Sequence, residues 1–244
     1  MIPGFICHWM AKRACKHHIA ERFEQNYLQF MRQPEGTFDE EIFIQNLQQR
    51  LRLMVTLRSL PPQSWLRVMS PVGRDEINKW ATEYLYQQRT LVPLLRWNGL
   101  PLVLASLIQS APEAMDFLFI SQDPLYRRLA TLRRCRDNSL LSHRPLAVFV
   151  FIDERLPESP VMPFLLNGNR LRVTAVFPHT LTRLHMEIQT LIPVGMPDTP
   201  SFRVIGQRYA PDAWEDAVAA NFQQLCRFPT YWGQWDDISV LLHG

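Results

Sequence analysis

Leu146-Ala147-Val148-Phe149-Val150-Phe151-Ile152 is an unbroken apolar run, and its reading decides the fold. It is short, rich in Val and Phe, and has no polar face, which predicts a strand buried on both sides. Downstream, Asn167-Gly168 separates Phe164-Leu165-Leu166 from Leu171-Arg172-Val173-Thr174-Ala175-Val176-Phe177. Both turn residues tolerate positive φ, so this segment predicts a β-hairpin. Leu184, Met186, Ile188 and Ile192 alternate with His185, Glu187 and Gln189, which predicts a half-buried strand; Phe202 to Tyr209 predicts another. Pro211, Asp212 and Glu215 then open a helix with Trp214, Val218, Phe222 and Leu225 on its inner face.

Upstream of Arg144 the pattern is helical. Few breakers interrupt residues 4 to 33 before Pro34 and Gly36. Thr37 and Glu40 form a capping box, leading into a helix that places Ile44, Leu47, Leu51 and Met54 on one face and stops at Pro61-Pro62. Further helices are expected over residues 74–88, with Ile77, Trp80 and Tyr84 inward, and over 102–109 as a short buried piece. Ser110 with Glu113 reads as another capping box, and Asp123-Pro124 as a third helix start. Helices followed by strands imply an α+β fold: a helical N-terminal part, then an antiparallel β-meander with a C-terminal helix. The boundary is placed in the polar stretch Asp137–Arg144, giving a mainly helical basic domain over 1–140 and the sheet with its C-terminal helix over 145–244. Residues 193–200, with Pro193, Gly195, Pro197 and Pro200, read as a flexible loop.

Charge is where the sequence points toward function. The chain has 26 basic residues, of which Lys12, Lys16 and Lys79 are lysines, so 26 − 3 = 23 are arginines. Arginine carries a planar, permanently charged fork of donors suited to phosphates and carboxylates. Residues 1–144 hold 19 basic and 13 acidic side chains, a net +6, while residues 145–244 hold 7 and 10, a net −3. A basic half predicts an anionic partner.

The sharpest concentration is Pro124 to Arg136. With Leu125, Leu129 and Leu132 as the buried stripe, Arg127 and Arg134 fall on the open side and Arg128 and Arg133 on the flanks. Arginines this dense repel one another unless an anion intervenes, which predicts contact with a nucleic-acid backbone, RNA or DNA, with Tyr126 stacking on a base. The competing reading is a solvated helix face, or one paired with carboxylates of another subunit. Tyr231, Trp232 and Trp235 cluster after the last helix and are read as a surface for protein partners, against the alternative that they cap the core. A second basic stretch, Lys12, Arg13, Lys16, His17, His18 and Arg22, lies beside Phe5, Ile6, Trp9 and Met10, and is expected to dock on its own domain.

Other chemistries find less support. Cys7, His8, Cys15, His17 and His18 cluster without paired short spacings, so no metal and no cofactor is expected. Four scattered cysteines, Cys7, Cys15, Cys135 and Cys226, read as reduced thiols in a cytoplasmic protein. The N-terminus lacks a clean apolar core and a small-residue cleavage site, and no uncharged apolar run is long enough to span a bilayer. Nine glycines against 19 prolines leave little material for phosphate loops, and GxSxG, HExxH, Walker A and GxGxxG signatures are all missing. The expectation is thus a non-catalytic, arginine-rich binding subunit of a multi-protein complex. Two alternatives stand beside it: a scaffold subunit of a protein-only assembly, and an enzyme acting on a phosphorylated or nucleotide substrate at a site assembled from distant residues.

Overall fold

A computed structural model describes residues 18–31, 40–86, 88–130, 132, 143–154, 159–166 and 168–232. Four helical segments come first: α1 (His18–Met31), α2 (Glu40–Ser59), a 3-10 helix (Pro62–Val68) and α3 (Pro71–Tyr84). α2 ends just before Pro61-Pro62, as the prolines require. Its buried stripe is Phe43, Ile44, Asn46, Leu53 and Leu57. Ile44 is thus inward as expected, while Leu47 and Leu51 are half-buried on the flank. α3 begins three residues before the expected Arg74, because Ser70 caps it: its Oγ accepts from the Gly73 N–H at 2.9 Å and Pro71 fits the first turn. Ile77 and Trp80 are buried and Tyr84 is half-buried.

The next elements are β1 (Arg89–Leu94), α4 (Leu100–Ser110), β2 (Asp116–Ile120), α5 (Pro124–Ala130) and β3 (Leu146–Phe151). Residues 100 to 108 of α4 are all buried, as its apolar sequence demands. Every residue of β3 is buried too. The central sheet has the order β2-β3-β1-β6-β9, where β6 is Glu187–Gln189 and β9 is Arg208–Tyr209. β1 runs parallel to β3 and to β6, and β2 runs parallel to β3; β9 alone is antiparallel.

The chain is α+β, but this sheet is mostly parallel and is not the expected meander. β1 and β2 form where the sequence predicts no strand. β1 contains Pro93, which reads as a breaker. It is tolerated because β6 pairs with β1 at Thr90 and Leu91, so Pro93 faces only Val150 of β3 and the missing donor interrupts no second ladder. β2 follows the supposed capping box at Ser110 and Glu113. There a turn closed by the Met115 N–H on Pro112 O launches a strand of Phe and Leu instead of a helix. With α4 between β1 and β2 and α5 between β2 and β3, the connections are long enough for parallel pairing. One sheet therefore takes β1 and β2 from before the 140–145 boundary and β3, β6 and β9 from after it.

The predicted hairpin forms: β4 (Val161–Leu166) and β5 (Asn169–Thr174) pair antiparallel, with Leu166 opposite Asn169 and Gly168 at φ 71°. A short α6 (Pro178–Arg183) follows and the chain turns at His185, so the strand expected from Leu184 begins only at Glu187; it then breaks at Thr190-Leu191 into β6 and β7 (Ile192–Val194). The strand expected over 202–209 also divides, at Gly206, into β8 (Arg203–Ile205) against β7 and β9 against β6. A Cβ at Gly206 would lie 2.3 Å from Trp80 Nε1, so glycine is what lets the backbone pass this indole.

The segment expected to be a flexible loop is held. Residues 193 to 197 are buried, and Pro197 O accepts from both Ser70 N and Ser70 Oγ at 3.0 Å. Finally, α7 (Trp214–Arg227) buries Trp214, Val218, Phe222 and Leu225 as its periodicity requires.

Candidate nucleic-acid interface

α5 is short, and its start is built by Asp123. The Asp123 Oδ1 accepts from Leu125 N at 2.8 Å, and its carbonyl accepts from Tyr126 N and Arg127 N. Tyr126 and Leu129 are buried, whereas Leu125 and Leu132 are half-buried. The inner face is therefore rotated toward Tyr126 relative to the expected leucine stripe. The Tyr126 ring packs on Phe151 with centroids 4.2 Å apart, and burial pushes its phenol well above the ordinary range, with Asp123 and Asp153 acting in the same direction. Tyr126 is a core residue in this arrangement, with no face left for a base.

Arg127 and Arg128 are both exposed. Arg128 lies back over the helical layer: its Cζ stands 5.9 Å from the Trp65 ring and its Nη1 donates to Leu57 O at 3.4 Å. Arg127 makes no ion pair among the described residues. Arg133 and Arg134, which complete the expected patch, lie outside the described residues.

The C-terminal aromatics separate in the same way. Trp232 is fully buried, Tyr231 is half-buried with its ring 6.5 Å from Phe228, and Trp235 lies outside the described residues. Trp232 caps the core, so it offers no exposed ring to a partner. The basic N-terminal stretch up to His17, with Cys7, His8 and Cys15, is also outside the described residues. Among those described, no group of three or more His, Cys, Asp or Glu could hold a metal ion, and no helix is long and apolar enough to cross a membrane.

A second cluster escaped sequence reasoning. Parallel strands β1, β2 and β3 end side by side, and the residues just beyond them meet. Asp153, buried after β3, accepts at Oδ2 from Arg96 N at 3.0 Å and from Trp232 Nε1 at 2.9 Å. Arg96 Nε lies 3.3 Å from Asp153 Oδ1, and Arg96 Nη2 donates to the Asp153 carbonyl. Burial lowers the Arg96 pKa, but Asp153, Tyr126 and Glu154 outweigh it and leave the guanidinium raised above its ordinary value. Beside them, Glu154 accepts from Ser121 Oγ at 2.6 Å and from the Gln122 N–H after β2. Arg96 and Asp153 each directly follow an apolar run, a signal in the sequence that could have marked the place.

The chain matches no family model and no curated protein.

The carboxyl edge of a parallel sheet is where open α/β folds bind ligands. Here Trp232, Tyr126 and the Arg96–Asp153 pair fill it with the protein's own side chains. The Asp153 carboxylate is spent on Arg96 and Trp232, so this cluster acts as a clamp joining three strands to the C-terminal segment.

Proposed function

We propose that this chain is a non-catalytic binding subunit whose α5 arginines hold a nucleic-acid backbone within a multi-protein complex. The supporting observation is Arg127: it is exposed, carries a permanent charge, and meets no carboxylate among the described residues. Arg128 stands beside it, oriented by the Trp65 ring. α5 is anchored from beneath by the buried Tyr126 and Leu129, on the side away from Arg127. Guanidinium groups on such a helix neutralise phosphates and set position; they carry little sequence information. With Tyr126 in the core, the reading rests on charge alone and involves no base stacking.

The test is a salt series of binding to a labelled single-stranded RNA and to a duplex DNA. Replacement of Arg127, Arg128, Arg133 and Arg134 by Glu is expected to abolish salt-sensitive binding. For subsets of these changes, the slope of log affinity against log salt falls by about 1 for each phosphate contact removed. Affinity indifferent to salt, or to the four substitutions, overturns the reading.

A further inference from the structure

Among the described residues five large apolar side chains are exposed, and three of them, Val161, Leu165 and Phe177, lie in or just beyond the β4–β5 hairpin. Leu165 is the most exposed at 68%. The strand's alternation explains this. Met162, Phe164 and Leu166 point inward, with the Phe164 ring stacked 5.7 Å from Phe222 of α7. Val161, Pro163 and Leu165 must then point out. A slip of one residue would exchange the two faces, and the anchored Phe164 forbids it.

β5 completes the outer face. Leu171 and Val173 are buried, while Arg170 and Arg172 are exposed. The register sets Arg170 opposite Leu165 and Arg172 opposite Pro163. Cross-strand neighbours stand ~5 Å apart at Cβ, so each arginine flanks an apolar side chain. Residues two apart on a strand are ~7 Å apart, which sets the spacing at which the two arginine side chains leave the backbone. Neither arginine forms an ion pair among the described residues.

We infer that the outer face of the β4–β5 hairpin is a docking surface for an acidic, apolar protein segment. Its occupant is an extended strand with carboxylates two residues apart on one side, flanked on that side by aliphatic side chains. Charge complementarity selects the acids, and the exposed Leu165, Pro163 and Val161 select the aliphatic neighbours. Arginine bordering an apolar centre is the composition of a protein interface. A nucleic-acid backbone would engage Arg170 and Arg172 but leave Leu165 and Val161 in water. A bilayer surface would call for apolar residues gathered at the hairpin tip, whereas these run along the strand toward its base. The inference is independent of the α5 reading, since its residues lie on different elements.

The test uses the full chain and a fluorescent peptide with two glutamates two residues apart between two leucines on the same strand face. A control peptide carries lysines in place of the glutamates. Anisotropy is expected to show binding of the glutamate peptide and at least tenfold weaker binding of the lysine peptide. Arg170→Glu with Arg172→Glu reverses that preference. Leu165→Ser weakens the glutamate peptide several-fold while the melting curve stays in place, and RNA affinity is unchanged in both variants. No binding of the glutamate peptide up to millimolar concentration overturns the inference, as does equal affinity for both peptides. A double variant that instead loses affinity for RNA, or for phosphatidylserine vesicles, assigns the face to another partner class and also overturns it. A concentration-dependent dimer dissolved by the same double variant would assign the face to a second copy, with the same consequence.

Discussion

Trp232 Nε1 donates a 2.9 Å hydrogen bond to Asp153 Oδ2, the same oxygen that accepts from the backbone of Arg96. This carboxylate joins the ends of β1 and β3 to the segment after α7. All three partners are largely shielded from water, with the Arg96 and Asp153 side chains 16% and 0% exposed. Removing one member of a buried pair leaves the other charge uncompensated. Asp153→Asn is therefore expected to destabilise the protein by about 3 kcal/mol. Trp232→Phe, which removes one bond to a charged acceptor, is expected to cost about 2 kcal/mol. Urea unfolding followed by circular dichroism measures both; an unchanged midpoint for Asp153→Asn would show that the clamp carries no stability.

Gly73 faces Pro197 across a space with no room for a side chain. A Cβ there would lie 2.2 Å from Pro197 O, the carbonyl that Ser70 grips. Gly73→Ala must push the 193–197 segment away and disturb the Ser70 cap. An overpacking cost of about 2 kcal/mol is expected, although alanine is the better helix former. A variant as stable as the parent would mean that this segment is not held against α3.

Stability should fall in alkali through Tyr126. Its folded pKa is raised, first by burial and then by Asp123 and Asp153, while an unfolded tyrosine ionises near ~10. Below that value both states keep the proton and the contribution is complete. Above it the unfolded state loses the proton while the folded state retains it, so stability declines as pH rises, by up to about 1.4 kcal/mol per pH unit. Tyr126→Phe keeps the ring on Phe151 and should flatten this dependence between mildly and strongly alkaline buffer. Tyr84 and Tyr209, also raised, leave a smaller residual slope.

Arg127 and Arg128 are neighbours with separable roles. Arg128 covers Trp65 and reaches Leu57 O, so Arg128→Glu is expected to lower both nucleic-acid affinity and the melting temperature. Arg127→Glu is expected to lower affinity alone, with stability within about 0.5 kcal/mol of the parent, as for other surface substitutions. Binding isotherms read beside melting curves separate the two effects; identical behaviour of the two variants contradicts the assignment.

The hairpin's two faces provide a direct test of register. Leu171 is fully buried and Leu165 is 68% exposed, although both belong to the same two-stranded unit. Leu171→Ala should cost about 3 kcal/mol, and Leu165→Ala no more than about 0.5 kcal/mol. Equal losses in urea unfolding would show that the strands are paired differently.

Much of the local structure was legible from residues 146–152, 167–168 and 214–225. A run without a polar side, a turn dipeptide tolerant of positive φ, and a helical repeat of large apolar residues each follow from sterics and burial within a few residues. The exposure of Arg127 followed in the same way, whereas Arg128, expected on a flank, is exposed as well. Tyr126 was misplaced because Tyr126 and Leu129 make as good a helical stripe as Leu125 and Leu129, and one position of rotation sends the ring inward. β1 and β2 were hidden behind Pro93 and the Ser110–Glu113 pair, whose meaning depends on neighbours far along the chain.

The sequence by itself determined where the apolar faces fall, where the 167–168 turn lies, and how arginine-rich the first half is. Only the tertiary structure decided that β1, β2 and β3 run parallel, that Asp153 holds Arg96 and Trp232, and that Arg170 and Arg172 stand beside Pro163 and Leu165. Helical faces and tight turns are set by contacts among residues close in the chain. Strand order and charge pairing arise between segments tens of residues apart, where many pairings satisfy the same local preferences and packing of the whole core selects one.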